Sequence, residues 1–146
     1  MIKVVDSLFP KMPKQFGVSK ASQAYTVAQL LMEDTTNGYI IPATSSTSTL
    51  SVVGVGTKAF TQSASNGTMQ FIPVITGAVF VVADCTNVTA ANQLHKNHVM
   101  TDSNYVNNTS STSTALSGIF HALGIVGAIG GTKLYGYFIR SGQVTV

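Results

Sequence analysis

The stretch "MQFIPVITGAVFVVADC" (Met69–Cys85) decides the fold class. It reads as two apolar strands, "MQFIPVIT" and "AVFVVAD", on either side of Gly77. Valine, isoleucine, phenylalanine and threonine fit a pleated, half-buried surface, and the rest of the chain shares this bias. Of 146 residues, 45% are apolar and 9% charged, with 18 Thr and 15 Ser. A charged share of about 25% is usual, so hydroxyls and amides must make this surface polar. The hydropathy excludes a disordered chain, and the length allows one domain with its own core.

Upstream of this stretch, "SASNGT" (63–68) and "TTNG" (35–38) each place Asn-Gly where a turn needs positive φ. "YIIPAT" and "LSVVGVG" read as strands, Pro42 setting the first at an edge or end. "SQAYTVAQLLMED" suits either a helix or a strand, and strand is preferred. Downstream, "TAANQLH" (Thr89–His95) predicts a short helix with Thr89 as its cap. "HVMTDSNYVNN" and "GIFHALGIVG" follow as strands, then an "IGGT" turn and a closing strand "KLYGYFIR". Gly54, Gly124 and Gly136 inside strands predict bulges or bends. The expected fold is all-β: a small antiparallel barrel or sandwich of about eight to ten short strands, with one short helix near 89–95.

The formal charge is uneven. Lys3, Lys11, Lys14 and Lys20 stand against Asp6 in residues 1–20, while the remainder balances, so the whole +3 excess lies in the first twenty residues. Pro10, Pro13 and Gly17 break any lasting period there. Residues 1–20 therefore read as an extended basic N-terminal arm ahead of a 21–146 β-barrel domain. Its apolar residues are too many for a solvated tail, so it should dock on its own barrel, a second copy or another surface. A strand followed by a plain loop is the competing reading. Four lysines without arginine fall short of a nucleic-acid footprint, and no nucleic-acid partner is expected.

No catalytic constellation is legible. There is no G-x-S-x-G elbow, and serine without a positioned base is a weak nucleophile. "GVGTK" lacks phosphate-loop spacing. Glu33 and Asp34 are adjacent and would face opposite ways on a strand. His95 and His98, three apart, suit a metal only if Asp102 or Cys85 joins them. No metal, cofactor or enzymatic activity is expected. His121 reads as a core histidine and Cys85 as a small buried hydrophobe. The N-x-[ST] triplets at Asn66, Asn87, Asn107 and Asn108 are accounted for by chance in so hydroxyl-rich a chain. The longest late apolar run, Gly118–Gly131, is shorter than the ~20 residues of a membrane helix, and no secretion signal is visible. A soluble cytoplasmic product without a membrane partner is expected.

"TSSTSTL" (Thr44–Leu50) and "TSSTSTAL" (Thr109–Leu116) are 65 residues apart, whereas two "GTK" triplets are 75 apart. The mismatch weakens a duplication, and both blocks read as polar connectors or edge segments outside the barrel.

From Thr26 onward, about 120 residues follow a distinctive order. It includes "G-x-x-x-P-A-T" (Gly38–Thr44), a strand ending in Ala83-Asp84, "TDSNYVN" before a Ser/Thr loop, "GIF…LGIVG" and a final "YGYF". This order resembles the small β-barrel capsid decoration (cement) proteins of tailed bacteriophages. The resemblance implies a structural virion protein made in the host cytoplasm. It would sit as a homotrimer on the outer capsid and bridge major capsid protein subunits. Residues 1–20 match nothing in that pattern, but arms in this class reach the capsid or a neighbouring subunit. Lys3, Leu8, Phe9, Lys11, Lys14, Phe16 and Lys20 are thus the expected partner-binding residues. Alternatives are another phage component, such as a head fibre base or tail protein, or a carbohydrate-binding β-module. The last would want exposed aromatics, yet the chain has no Trp and its five Tyr fall mostly in strand-like runs.

Overall fold

The structure is a computed structural model that describes residues 1–112 and 117–141. Among these residues it is all-β. In the first half the strands are β1 (Ile2–Ser7), β2 (Gln15–Ser19), β3 (Ala24–Tyr25), β4 (Leu30–Glu33), β5 (Ile40–Pro42), β6 (Val52–Gly56), β7 (Phe60–Thr61) and β8 (Gly67–Pro73). The second half holds β9 (Val79–Cys85), β10 (Asn97–Met100), β11 (Tyr105–Ser111), β12 (Phe120–Ile125) and β13 (Lys133–Phe138).

These strands form two rings in tandem. The first closes in the order β2-β5-β4-β6-β8. The second runs β9-β11-β10-β12-β13, and pairing of β13 with β9 closes it. In each ring the first strand pairs in parallel with the third. The third-to-second, second-to-fourth, fourth-to-fifth and fifth-to-first pairings are all antiparallel. Corresponding strands begin 64, 67, 65, 68 and 66 residues apart. The 65-residue offset of the Ser/Thr blocks is therefore the repeat length; the first block lies between the third and fourth strands, and the second begins within the third strand. The 75-residue "GTK" offset misleads, because one triplet follows a fourth strand directly and the other leads into a fifth. The chain is a tandem repeat of one five-stranded topology.

Two clusters make up the core. Leu31, Ile40, Val53, Met69 and Phe71 fill the first ring, with Tyr25 stacked on Phe60 at 4.7 Å where the β3–β7 ribbon covers one end. Phe71 takes space that glycines leave: a Cβ on Gly54 would collide with its ring and with the Ile72 carbonyl. The second cluster fills the other ring with Val81, Ala83, Val106, Phe120, Leu134 and Phe138. It continues without a break into Ile2, Leu30, Ala43, Val52, Val55 and Val74. The Leu30 amide donates to the Ser103 carbonyl at 2.8 Å, and the Gln29 amide to Ser103 Oγ at 3.0 Å. One apolar core thus spans the seam between the rings.

The division into a 1–20 arm and a 21–146 barrel is corrected. β1 pairs antiparallel with β9 from Ile2↔Ala83 to Ser7↔Val79, and Ile2 is fully buried. β2 pairs with β8 along its whole length and with β5 at Ser19, so it is the first strand of the first ring. The physical reason is strand alternation. Ile2 and Val4 turn toward the core while Lys3 and Val5 face outward. Both prolines fall in the connection at residues 8–14, where no ladder donor is needed.

The helix expected at Thr89–His95 is also corrected, to a single 3₁₀ turn, Ala91–Gln93. Thr89 does not cap it; the Gln93 side-chain oxygen accepts from the Ala90 amide at 3.1 Å instead. "SQAYTVAQLLMED" forms two strands, split by a turn in which Ala28 takes φ +57. "TTNG" makes the β4–β5 hairpin turn with Gly38 at φ +72. "SASNGT" is a bend between strands that do not pair, and Asn66 Oδ1 accepts from the Ala21 amide at 2.8 Å.

Candidate functional site

Two surfaces stand out. The first lies on β1, β2 and their connection. Seven of the thirteen exposed large hydrophobics among the described residues fall in the first twenty positions, so exposure is concentrated there. Leu8 is 73% exposed and Phe16 66%. Every residue expected to bind a partner is exposed: Lys3 on β1, Leu8, Phe9, Lys11 and Lys14 in the connection, Phe16 on β2, and Lys20 just beyond it. They are held on structured backbone. The Leu8 amide donates to the Ala78 carbonyl at 2.9 Å, and the Phe9 amide to Ser7 Oγ at 3.3 Å. Phe16 and Val18 face out because Gly17 and Ser19 between them face the ring interior, where a Cβ on Gly17 would lie 2.5 Å from Ile40 Cγ1. A solvated apolar side chain here gains from being covered, at about 25 cal/mol per Å² of apolar surface buried.

The second surface is a groove on the outside of the second ring, with a volume of about 460 Å³. It is lined by His95, Lys96, Asn97, Ser111, Thr112 and His121. Asn97 on β10 sits opposite His121 on β12, and its Oδ1 lies 2.6 Å from His121 Nδ1. From His121 a row of rings crosses the sheet. His121 stacks on Tyr137 at 5.1 Å, Tyr137 meets Phe80 edge-on at 6.2 Å, and Phe80 stacks on Tyr135 at 5.8 Å. All four rings are half-buried and project outward, while Val81, Leu134 and Phe138 on the same strands point inward.

His121 is thus a surface residue of the groove, not the core histidine its sequence context suggested. The buried histidine is His98, 1% exposed, whose Nε2 is 2.8 Å from the Gln93 carbonyl. Burial lowers the pKa of both imidazoles, and for His121 the neighbouring His95 and His98 add to the effect. His95 is exposed, so the "HKNH" pair does not converge. Among the described residues no three His, Cys, Asp or Glu side chains group as metal ligands would. Asp102 bridges to Thr44. Cys85 is buried, and burial pushes its thiol up to about 11. Burial would raise Asp84, but bonds from Lys133 and the Met1 amino group outweigh it and hold the carboxyl below its ordinary range. Among the described residues no helix is long and apolar enough to cross a membrane.

Sequence reasoning missed Lys96, Asn97, Phe80, Tyr135 and Tyr137. The signal was present as period-two alternation in "KLYGYF" and "AVFVVAD", which sends these aromatics to the face opposite Leu134 and Val81.

Comparison with protein-family models and with curated proteins finds no match to this chain.

Proposed function

We propose that this protein is a structural virion component that decorates and stabilises a bacteriophage capsid by binding major capsid protein subunits. The observation that carries the reading is the concentration of exposed apolar side chains and lysines on β1, β2 and their connection. The order of sequence elements that resembles decoration proteins supports it. In this reading Leu8, Phe9 and Phe16 bury apolar area against the capsid, and Lys3, Lys11, Lys14 and Lys20 meet polar or acidic groups around it. The fixed backbone beneath them lowers the ordering cost of docking. Self-association into a homotrimer would multiply weak contacts through avidity. The location is the outer capsid surface, and the proposal assigns no cofactor or catalytic step.

The test is co-sedimentation with empty capsids of the cognate phage, combined with thermal melting of the particles. Wild-type protein should co-sediment and raise the particle melting temperature. Leu8→Asp/Phe16→Asp and Lys11→Glu/Lys14→Glu should abolish or weaken both effects while leaving the free protein folded. Wild-type protein that stays in the supernatant, or double variants that bind as well as wild type, would sink the proposal.

A further inference from the structure

We infer that the groove and ring row of the second ring form a binding site for an oligosaccharide bearing a carboxylate. The two parts of the surface match the two faces of a sugar. A pyranose presents hydroxyls around its rim and C–H groups on its flat faces. The row His121–Tyr137–Phe80–Tyr135 offers half-buried aromatic faces in near-continuous contact, suited to C–H faces. The groove at its end offers amide, imidazole and hydroxyl groups from Asn97, His95 and Ser111. Its volume falls within the roughly 300–1,000 Å³ of small-ligand sites.

A second cavity of about 190 Å³ shares Lys96 and Ser111 with the first and adds Asn92, Gln93 and Asn108. The two cavities adjoin at Lys96 and Ser111, which line both. Asn108 and Gln93 are buried and bonded to each other and to backbone, so they form the floor of this cavity and leave Lys96, Asn92 and Ser111 to meet a ligand.

Charge selects the acidic sugar. Among the described residues no carboxylate lines either cavity. The exposed Lys96 ammonium forms no salt bridge among the described residues, where Asp84 takes both the Met1 amino group and Lys133. An exposed lysine shared by the linings of both cavities complements a single negative charge. One cation is too few for a nucleic-acid strand, whose affinity comes from several phosphate contacts. The site uses none of Leu8, Phe9, Lys11, Lys14 or Phe16, so it stands apart from the capsid proposal.

The test is binding of the purified full chain to an array of immobilised neutral, uronic-acid and sialic-acid oligosaccharides, with a single-stranded oligothymidylate as a further probe. The strongest glycan is then titrated by calorimetry. Acidic glycans should be retained over neutral ones. Lys96→Ala and Tyr137→Ala should each weaken binding by roughly tenfold, as losing a charge contact or a stacking face implies. Tyr137→Phe keeps the ring and should bind as wild type. Lys96 is exposed, so Lys96→Ala reports even if Tyr137→Ala is poorly folded. Retention of no glycan, glycan binding unchanged by Lys96→Ala, or tighter binding of the oligothymidylate would each overturn the inference.

Discussion

The two rings share strand order, strand sense and repeat length, yet they close their interiors differently. The first ring has a small private core in which Phe71 sits against the glycine backbone of β2 and β6. The second ring's core spreads through the seam and takes in Leu30, Val52, Val55 and Val74 from the first. The rings also differ outside. The apolar, lysine-bearing surface runs from β1, paired on β9, across the connection to β2 of the first ring; the second ring alone carries the aromatic row and all three histidines. One topology therefore serves two purposes, because alternation fixes only which residues face out. Packing through the seam predicts that the pair unfolds as one cooperative unit despite its two-ring plan.

The largest expected effect breaks the first ring outright. Deleting residues 1–20 removes β2, and with it the β2–β8 and β2–β5 pairings that close the ring. It also strips β1 from β9 and Ile2 from the shared core. Circular dichroism on heating should show loss of the cooperative transition. A deletion protein that melts like the full chain would show that β1 and β2 only decorate the fold.

Next come two of the three buried phenylalanines, one from each cluster, which test whether the cores are coupled. Phe71→Ala and Phe120→Ala should each cost about 3–5 kcal/mol, the range for truncating a core aromatic. If the seam joins the rings, denaturant unfolding of either variant stays a single transition with a lower midpoint. Two separated transitions in Phe71→Ala would mean that the first ring unfolds alone.

Acid sharpens the contrast further. His98 and His121 are depressed by burial below the ordinary imidazole value of 6.5. The unfolded chain then binds protons that the folded chain refuses. Their contribution is intact above about 6.5 and is lost as pH falls below it. The first ring has no histidine, so this loss belongs to the second. Melting temperature should fall between about pH 7 and pH 5, and His98→Gln should flatten that slope. An unchanged slope would remove His98 as the cause.

Much of this was legible before the structure and some was not, for physical reasons. The strands were legible because Val, Ile and Phe cluster between turn residues, and Gly38 at φ +72 is what Asn37-Gly38 announced. A barrel was expected, but its division into two tandem rings was not, because it depends on pairs such as Ser19↔Ile40 and Tyr105↔Asp84 between segments distant in the chain. The arm was misread because lysines and prolines mask the inward pair Ile2 and Val4. Of the candidate sites, the N-terminal residues stood out in the sequence by their lysines and apolar side chains. The groove did not, since Asn97, Lys96 and His121 meet only when β10 pairs with β12.

The smallest effect bears on the repeated Ser/Thr block, where one sequence takes two structures. In the first ring Thr47 is fully buried and its Oγ1 accepts from the Thr44 amide at 2.8 Å. Ser51 Oγ likewise accepts from the Ser48 amide at 3.1 Å. Two of the seven block residues, Thr47 and Thr49, are thus buried in a hydroxyl-braced turn, while Thr44, Ser45, Ser46 and Leu50 stay exposed as an outside connector would. In the second ring Thr109, Ser110 and Ser111 extend β11 and are exposed, with Ser111 on the groove; residues 113–116 lie outside the described residues. The hydroxyl count is the same, but the first copy uses hydroxyls to satisfy backbone amides of its own turn, whereas Thr109 Oγ1 in the second accepts from the Asn87 side chain. Thr47→Ala leaves the Thr44 amide without its partner and should cost about 1–3 kcal/mol. Ser111→Ala on the exposed strand should stay within about 0.5 kcal/mol. Equal losses in chemical denaturation would mean that both copies brace their ring in the same way.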